Sequence, residues 1–476
     1  MTESERRSLR NRFWLYGRKK FLAACVKHPS LRKVRFARWE RLRKKYDAVA
    51  EETAVNSKSV VFECFGGHQY GCSPKAIYLK MLEDSRFDGW TFFWSFKGSV
   101  LDRMAEDPTL SRARLVQRGS GEYYSAFAAS KYWIQNNRVP EYITPRDEQV
   151  YVQCWHGTPL KRLGCDVPES STGGALNSAS ELAERFKMDS AKWTYLLAPS
   201  DYTGEHLADA FGLPQDRRAQ TILKEGYPRN DYIRATLDAP DAAEQVEQIK
   251  ASIDSFLLNQ HLERIARERE CEVEGLSAED IPQELHAGLH LPRDKKILLY
   301  APTFRDDQYT PGVGYSLDLD IDLDEMQREL GDEWIVLLRM HYYIANKLDL
   351  DRWAGFAFNV SSWPDINQLY VVADTLCTDY SSVFFDYSNT NRPLYFLWTD
   401  LEHYGEELHG FYLDPMTLPG PKCRSSHELT EAVKKNIAWF DEYGEGYEKF
   451  RKEFCPLDDG HAAERVIERV MFGELG

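Results

Sequence analysis

The 476-residue chain reads as an α/β protein with two parallel-sheet domains. Its length exceeds the roughly 250–300 residues at which a single core stops growing. Short apolar runs recur in two series, with stretches of helical spacing between them. The first series covers 60–62, 90–94, 132–134, 150–152 and 195–197; the second covers 296–300, 334–338, 370–376 and 394–397. Gly, Pro, Asp or Ser closes each run, as expected at strand ends. In open parallel sheets ligands bind at the carboxyl ends of strands, so the residues just after each run are where chemistry is expected.

Composition narrows the class. Hydrophobic residues make up 43%, with 26 Tyr, 24 Phe and 12 Trp, which excludes wholesale disorder. The nine cysteines are scattered and form no C-x-x-C pair, so neither a disulfide framework nor a zinc ribbon is expected and a reducing cytoplasm fits. The net charge of −15 hides an asymmetry, because residues 1–50 carry 16 Lys or Arg against 4 acids. Those bases interleave with Phe13, Trp14, Leu15, Tyr16, Phe21 and Leu22, as in an interfacial helix drawn to anionic lipid, and Pro29 is expected to break one helix from the next. A solvated basic helix packed on the body accounts for the same residues. No window reaches the ~18–20 apolar residues of a membrane span, and no signal-peptide core follows the charged start. The acidic remainder would repel a polyphosphate backbone, so no nucleic-acid partner is expected.

Five segments follow from these patterns: a basic helical segment over 1–50, a first sheet domain over 51–233, a helical insertion over 234–291, a second sheet domain over 292–440 and C-terminal helices over 441–476. The insertion carries Ile249, Ile253, Phe256, Leu257, Leu262 and Ile265 at helical spacing. In the tail, Val433, Ile437, Phe440, Val466, Ile467 and Val470 are expected on the buried face.

The chemistry-bearing residues sit at run ends. The run 149–154 delivers Trp155-His156-Gly157-Thr158-Pro159-Leu160-Lys161, an imidazole at a strand end with a reference pKa of about 6.5, fit to accept a hydroxyl proton. Gly157 permits close approach, and Thr158 is expected to cap a helix with Pro159 in its first turn. The run 296–300 leads to Arg305, whose planar fork suits a phosphate unless Asp306 absorbs it. The run 334–338 delivers Arg339 and His341. After 370–376 come Thr378, Asp379, Ser381 and Ser382, expected to open a helix whose N-terminus and hydroxyls cradle an anion; plain capping explains those residue types as well. The segment Phe65-Gly66-Gly67 lacks dinucleotide-binding or P-loop spacing. The Leu/Asp alternation over 318–324 reads as helix caps or solvated acids rather than a metal site.

Taken in order, Trp155-His156-Gly157-Thr158-Pro159-Leu160-Lys161-Arg162-Leu163-Gly164, Gly226-Tyr227-Pro228-Arg229-Asn230-Asp231, Tyr300-Ala301-Pro302-Thr303-Phe304-Arg305-Asp306, Arg339-Met340-His341 and Thr378-Asp379-Tyr380-Ser381-Ser382 resemble the CDP-glycerol glycerophosphotransferases of teichoic acid synthesis. The similarity runs from about residue 58 to 440. It implies a GT-B-like fold, two Rossmann-like domains facing a central cleft, with acceptor on the N-terminal side and CDP-polyol on the C-terminal side. It also implies phosphoryl transfer, in which an acceptor hydroxyl attacks the phosphorus bearing glycerol and CMP leaves. By the same resemblance His156 is the general base and His341 steadies the diphosphate or leaving CMP. Gly157, Thr158, Lys161, Arg305, Arg339, Thr378, Asp379, Ser381 and Ser382 are expected to bind substrate. Gly66, Gly67, Lys75, Arg229, Asn230 and Asp231 are expected on the acceptor side, and 361–365 near the cytidine. No metal and no cofactor are expected. The implied partners are CDP-glycerol or CDP-ribitol, a lipid-linked teichoic-acid-like or capsular polyol-phosphate acceptor and an anionic membrane surface, with self-association left open. The implied location is cytoplasmic, peripheral on the inner face of the cell membrane. A UDP-sugar-using enzyme of the same fold is the alternative. Residues 232–291 exceed the length that the resemblance implies between the neighbouring motifs.

Overall fold

In the computed structural model the described residues are 29–168, 179–303, 309–310, 314–315, 319–340, 348–399 and 410–473. Arg305, His341 and the first 28 residues lie outside them. Seven parallel strands form the first sheet: β1 (Asn56–Glu63), β2 (Thr91–Phe96), β3 (Ala113–Gln117), β4 (Ser130–Gln135), β5 (Val150–Gln153), β6 (Tyr195–Ala198) and β7 (Ile222–Lys224). Their order is β3-β2-β1-β4-β5-β6-β7. The strand order reverses between β1 and β4, which opens a crevice at their carboxyl ends.

The second sheet contains β8 (Lys296–Tyr300), then, after a small antiparallel hairpin of β9 (Tyr309–Thr310) and β10 (Gly314–Tyr315), β11 (Trp334–Leu338), β12 (Ala357–Asn359), β13 (Thr375–Thr378), β14 (Leu394–Leu397) and β15 (Lys422–Cys423). Its order is β12-β11-β8-β13-β14-β15, again all parallel, with the reversal between β8 and β13. The central strands are buried along nearly their whole length, as sheets covered on both faces require.

Three sequence expectations give way here. The run 370–376 is not one strand: Asp365 caps a helix over Ile366–Val372, its carboxylate accepting from the Asn367 amide at 3.1 Å, and β13 begins only at Thr375. An unbroken apolar run carries no period that separates helix from strand. Ile437 and Phe440 are 95% and 46% exposed, because a turn over Asn436–Ala438 breaks the register between helices Ser426–Lys434 and Trp439–Phe454. The boundary at residue 50 cuts a helix, Pro29–Glu52, whose Tyr46 and Ala50 are buried in the first domain, with the Tyr46 ring edge-on to Tyr124 at 6.3 Å. In the insertion, the helix Ala242–Arg269 lays Ile249, Ile253 and Leu257 into the second domain's core.

The chain ends by recrossing between domains. Helix Trp439–Phe454 packs on the second sheet, and helix Ala462–Ile467 returns to bury Val466 and Ile467 in the first. A polar network pins this crossing. Arg229, 5% exposed, donates to both oxygens of Asp386 at 3.1 and 2.8 Å and lies 3.9 Å over the Tyr227 ring. Asn230 Nδ2 donates to Asp386 at 3.2 Å and to Asp458 at 2.6 Å, and the Tyr227 amide donates to Asp458 at 2.7 Å. The Asp231 carboxylate accepts from the amides of Ala462 and Ala463 at 3.0 and 2.7 Å. Breaking a buried pair strands the surviving charge, so Asp386→Ala is expected to lower the unfolding free energy in urea by about 3–5 kcal/mol. A loss below about 1 kcal/mol, the worth of an exposed pair, would contradict that role for the network.

Candidate active site

His156 lies in the loop after β5 and is exposed to solvent. Trp155 takes the left-handed conformation (φ 49°), and so do Phe65 (φ 46°) and Cys72 (φ 58°) beside it. Strained backbone held by its surroundings at one place is a mark of a functional site. Nδ1 of His156 lies 2.8 Å from the carbonyl oxygen of Asn136. A carbonyl only accepts, so Nδ1 carries the proton and Nε2 is left as the basic nitrogen. Burial among cleft walls pushes the pKa of His156 down to about 4; the Asn136 carbonyl opposes this, and the charges of Arg229 and Arg138 add to it. Yet His156 is exposed to solvent, which weakens that burial effect. The direction of the shift, toward the neutral ring, is therefore what bears on chemistry.

The two domains meet at the next residue. A Cβ on Gly157 would stand 2.5 Å from Oγ and 3.2 Å from Cβ of Ser382, so the loop after β5 touches the segment after β13 only because residue 157 lacks a side chain. Lys161 continues the contact as a β-bridge to Phe411, with Tyr412 N donating to Leu160 O at 2.9 Å. Thr158 caps no helix. It is buried, and its Oγ1 accepts from Thr203 Oγ1 at 3.2 Å, fixing the loop to the helix Asp201–Ala210.

On the second-domain side the expected ligand residues divide. Thr378 is buried, donating to Ala301 O at 2.7 Å, and Asp379 accepts from the amides of Thr303 and Tyr380 at 2.7 and 2.5 Å. Both brace the strand ends. Ser381 and Ser382 are half-buried, and the helix after them spans only Val383–Tyr387, without a side-chain cap from Ser382. That is too short for the expected helix-terminus cradle. Arg339 directs Nη1 at the carbonyls of Val360, Ser361 and Trp363, at 3.0, 2.9 and 2.5 Å. No carboxylate forms a salt bridge with it among the described residues; Asp365, the carboxylate that acts on its charge, pairs with Lys75 instead. Gln260 and Phe256 of the insertion helix reach the same turn, through Ser362 at 3.3 Å and the Trp363 ring at 5.2 Å.

The acceptor-side expectations also divide. Arg229 and Asn230 are buried and Asp231 half-buried, and the side chains of all three are engaged in the inter-domain network. Lys75 reaches across to Asp365 at 3.5 Å. Gly66 and Gly67 form a turn beside His156, whose ring is 5.5 Å from that of Phe65. Sequence reasoning missed Asn136: its carbonyl sets the His156 tautomer while its Oδ1 accepts from the Phe65 amide at 2.8 Å. The signal was present, since Asn136 directly follows β4, at a strand's carboxyl end. Of the Asp-rich alternation, Asp322 caps the helix Leu323–Leu330 and Asp324 pairs with Arg352 at 2.6 Å.

Comparison with known proteins identifies the family and the fold. The profile of the family described as CDP-Glycerol:Poly(glycerophosphate) glycerophosphotransferase matches residues 46–252 and 276–472. The teichoic acid poly(glycerol phosphate) polymerases of Staphylococcus epidermidis and Bacillus subtilis are each 34% identical, over 89% and 98% of this chain. The chain spans about half the length of these curated relatives, 52% and 55%. A teichoic acid poly(ribitol-phosphate) polymerase of Bacillus spizizenii is 25% identical over 88% of the chain. The solved structure of the wall teichoic acid polymerase TagF superposes with a TM-score of 0.74 at 33% identity, covering 94% of this chain and 97% of that one. The two facing parallel-sheet domains are thus a GT-B-like fold, and the chain belongs to the CDP-glycerol:poly(glycerophosphate) glycerophosphotransferase family.

Proposed function

We propose that this chain transfers glycerol phosphate from CDP-glycerol to a hydroxyl of a teichoic-acid-like polyol-phosphate acceptor, releasing CMP. The observation that carries the reading is the meeting, at Gly157 and Ser382, of a neutral histidine base with the anion-seeking strand ends of the opposite domain. Nε2 of His156 takes the proton from the acceptor hydroxyl as its oxygen attacks the phosphorus bearing glycerol. The bond from that phosphorus to the oxygen of the cytidine phosphate breaks, and its electron pair departs on CMP. The Arg339 charge, Lys161 and the hydroxyls of Ser381 and Ser382 hold the diphosphate, so catalysis is mainly positioning and charge stabilisation. Arg305 and His341 retain, in this proposal, the donor-phosphate and leaving-CMP roles that the resemblance implies. Glycerol is favoured over ribitol as the polyol by the relatives' identities, 34% against 25%.

The proposal includes work at the inner face of the membrane as a peripheral protein. Among the described residues no helix is long and apolar enough to cross a bilayer. The bases of 1–50 supply the attraction to anionic lipid. Because Tyr46 and Ala50 belong to the core, the informative truncation removes 1–28 only. It is expected to weaken co-sedimentation with anionic vesicles, and unchanged binding would remove the membrane role.

CMP release from CDP-glycerol with a soluble glycerol phosphate acceptor tests the reaction itself. His156→Ala is expected to lower kcat/KM by about 10²–10⁴-fold with the fold intact. A base whose pKa is depressed toward about 4 is already neutral well below pH 6.5. The acid limb of kcat/KM should therefore lie about a unit or more below the ordinary histidine value of about 6.5. No CMP from the wild-type chain, or full turnover by the alanine variant, would sink the proposal.

A further inference from the structure

Beside His156, at the carboxyl ends of β1, β2 and β3, lies a group of charged side chains to which the reaction as written gives no task. Glu63 ends β1, Lys97 follows β2, Arg118 follows β3, and His68 lies just beyond the Phe65–Gly67 turn. Backbone bonds make these one unit. The Lys97 amide donates to Gly67 O at 2.8 Å, the Arg118 amide to Phe96 O at 2.7 Å, and the Gly67 amide to Cys64 O at 2.9 Å. Gly67 has φ 78°, and a Cβ there would stand 2.9 Å from the Lys97 nitrogen, so the turn sits directly on the end of β2.

The Arg118 guanidinium is held from behind. Its Nε donates to Glu63 Oε2 at 3.1 Å, an oxygen that also accepts from Ser95 Oγ at 2.7 Å. No other hydrogen bond of this guanidinium occurs among the described residues, and its outer end faces Gly66, 3.8–3.9 Å from where a Cβ would be. Lys97 Nζ meets His68 Nε2 at 2.5 Å, which keeps its charge in the same spot. Glu63, 1% exposed, lies behind Arg118 and pairs with it, and Lys97 brings a second positive charge to the same corner. The chain carries a net charge of −15, so this positive corner is a local feature and not a general one. Asn136 joins it to the base, since its Oδ1 accepts from the Phe65 amide while its carbonyl holds His156 Nδ1.

We propose that Arg118, Lys97 and the Phe65–Gly67 turn form a phosphate subsite on the acceptor side of the cleft, occupied by the phosphodiester that adjoins the attacking hydroxyl. The inference rests on the transferase reading and deepens it. An acceptor ending in glycerol phosphate presents an anionic phosphodiester one repeat from its terminal hydroxyl. A guanidinium anchored through Nε offers its two terminal nitrogens to phosphate oxygens, and the lysine adds a point charge. The phosphate then fixes which hydroxyl reaches Nε2 of His156. An acceptor that already carries glycerol phosphate is preferred to a neutral polyol, so the chain extends a polymer, and an earlier glycerol-phosphate addition must supply its substrate.

Two variants test this: Lys97→Gln, and Arg118→Gln combined with Glu63→Gln so that no buried carboxylate is left alone. With a short glycerol phosphate oligomer as acceptor, each is expected to raise the oligomer KM by about tenfold to a hundredfold. The KM for CDP-glycerol should stay within about twofold. An unchanged oligomer KM would overturn the subsite, and a raised CDP-glycerol KM in its place would assign these cations to the donor. Calorimetric titration of the oligomer without donor separates the two levels of inference. Binding by the wild type that both variants lose supports the subsite even if no CMP is ever released, a result that would sink only the transfer reading. Equal binding by wild type and variants overturns the subsite.

Discussion

The geometry of the cleft depends on the buried ion pair of Arg229 with Asp386. Arg229 closes the first domain just after β7, and Asp386 lies in the helix Val383–Tyr387, four residues past Ser382. A guanidinium fork on a carboxylate defines angle as well as distance. The pair therefore fixes the segment carrying Ser382 relative to the first domain, and with it the approach of Gly157. Desolvating two charges is costly, and Asn230 and the Tyr227 ring offset part of that cost. Asp458 ties the returning C-terminal segment into the same network, where burial pushes its carboxyl up to about 6. Above that pH it is the carboxylate that the amide of Tyr227 and the side chains of Asn230 and Asn389 solvate.

Within this frame each half of the cleft is incomplete by itself. The first domain supplies an imidazole whose tautomer is set by one carbonyl and whose pKa is pushed toward the neutral form. The second supplies Arg339, half-buried, with Nη1 on three backbone carbonyls and no salt bridge among the described residues. Neutral carbonyls solvate that cation without cancelling its charge, which suits a strand end that meets an anion. The left-handed backbone at Phe65, Cys72 and Trp155 has the same character, local strain of order 1–3 kcal/mol each held by the packing around it.

Much of this was legible in the sequence. Apolar runs located β1, β2, β4, β5, β6, β8, β11 and β14, because central strands of parallel sheets are continuously buried. β3, β7, β12 and β15 were missed, being edge or outer strands of two to five residues with little apolar signal. The position of His156 and Gly157 just after β5 was legible from the apolar run that precedes them. The division of labour within the motifs was not. Thr378, Asp379, Arg229, Asn230 and Asp231 have the residue types of ligands, and only tertiary contacts reveal the protein hydrogen bonds that each of them makes. Exposure of Ile437 and Phe440 was equally hidden, since a three-residue turn decides which face each helix presents.

The central claim, that the two halves of the site meet at Gly157 and Ser382, is tested most directly by a double-mutant cycle read in unfolding free energy. Gly157→Ala alone places a methyl group 2.5 Å from Ser382 Oγ and is expected to cost about 1–3 kcal/mol, as overpacking does. In a Ser382→Ala background, where the nearest atom stands at 3.2 Å, the same substitution should cost less by about 0.5 kcal/mol or more. Additive effects of the two substitutions would contradict the contact and the account built on it.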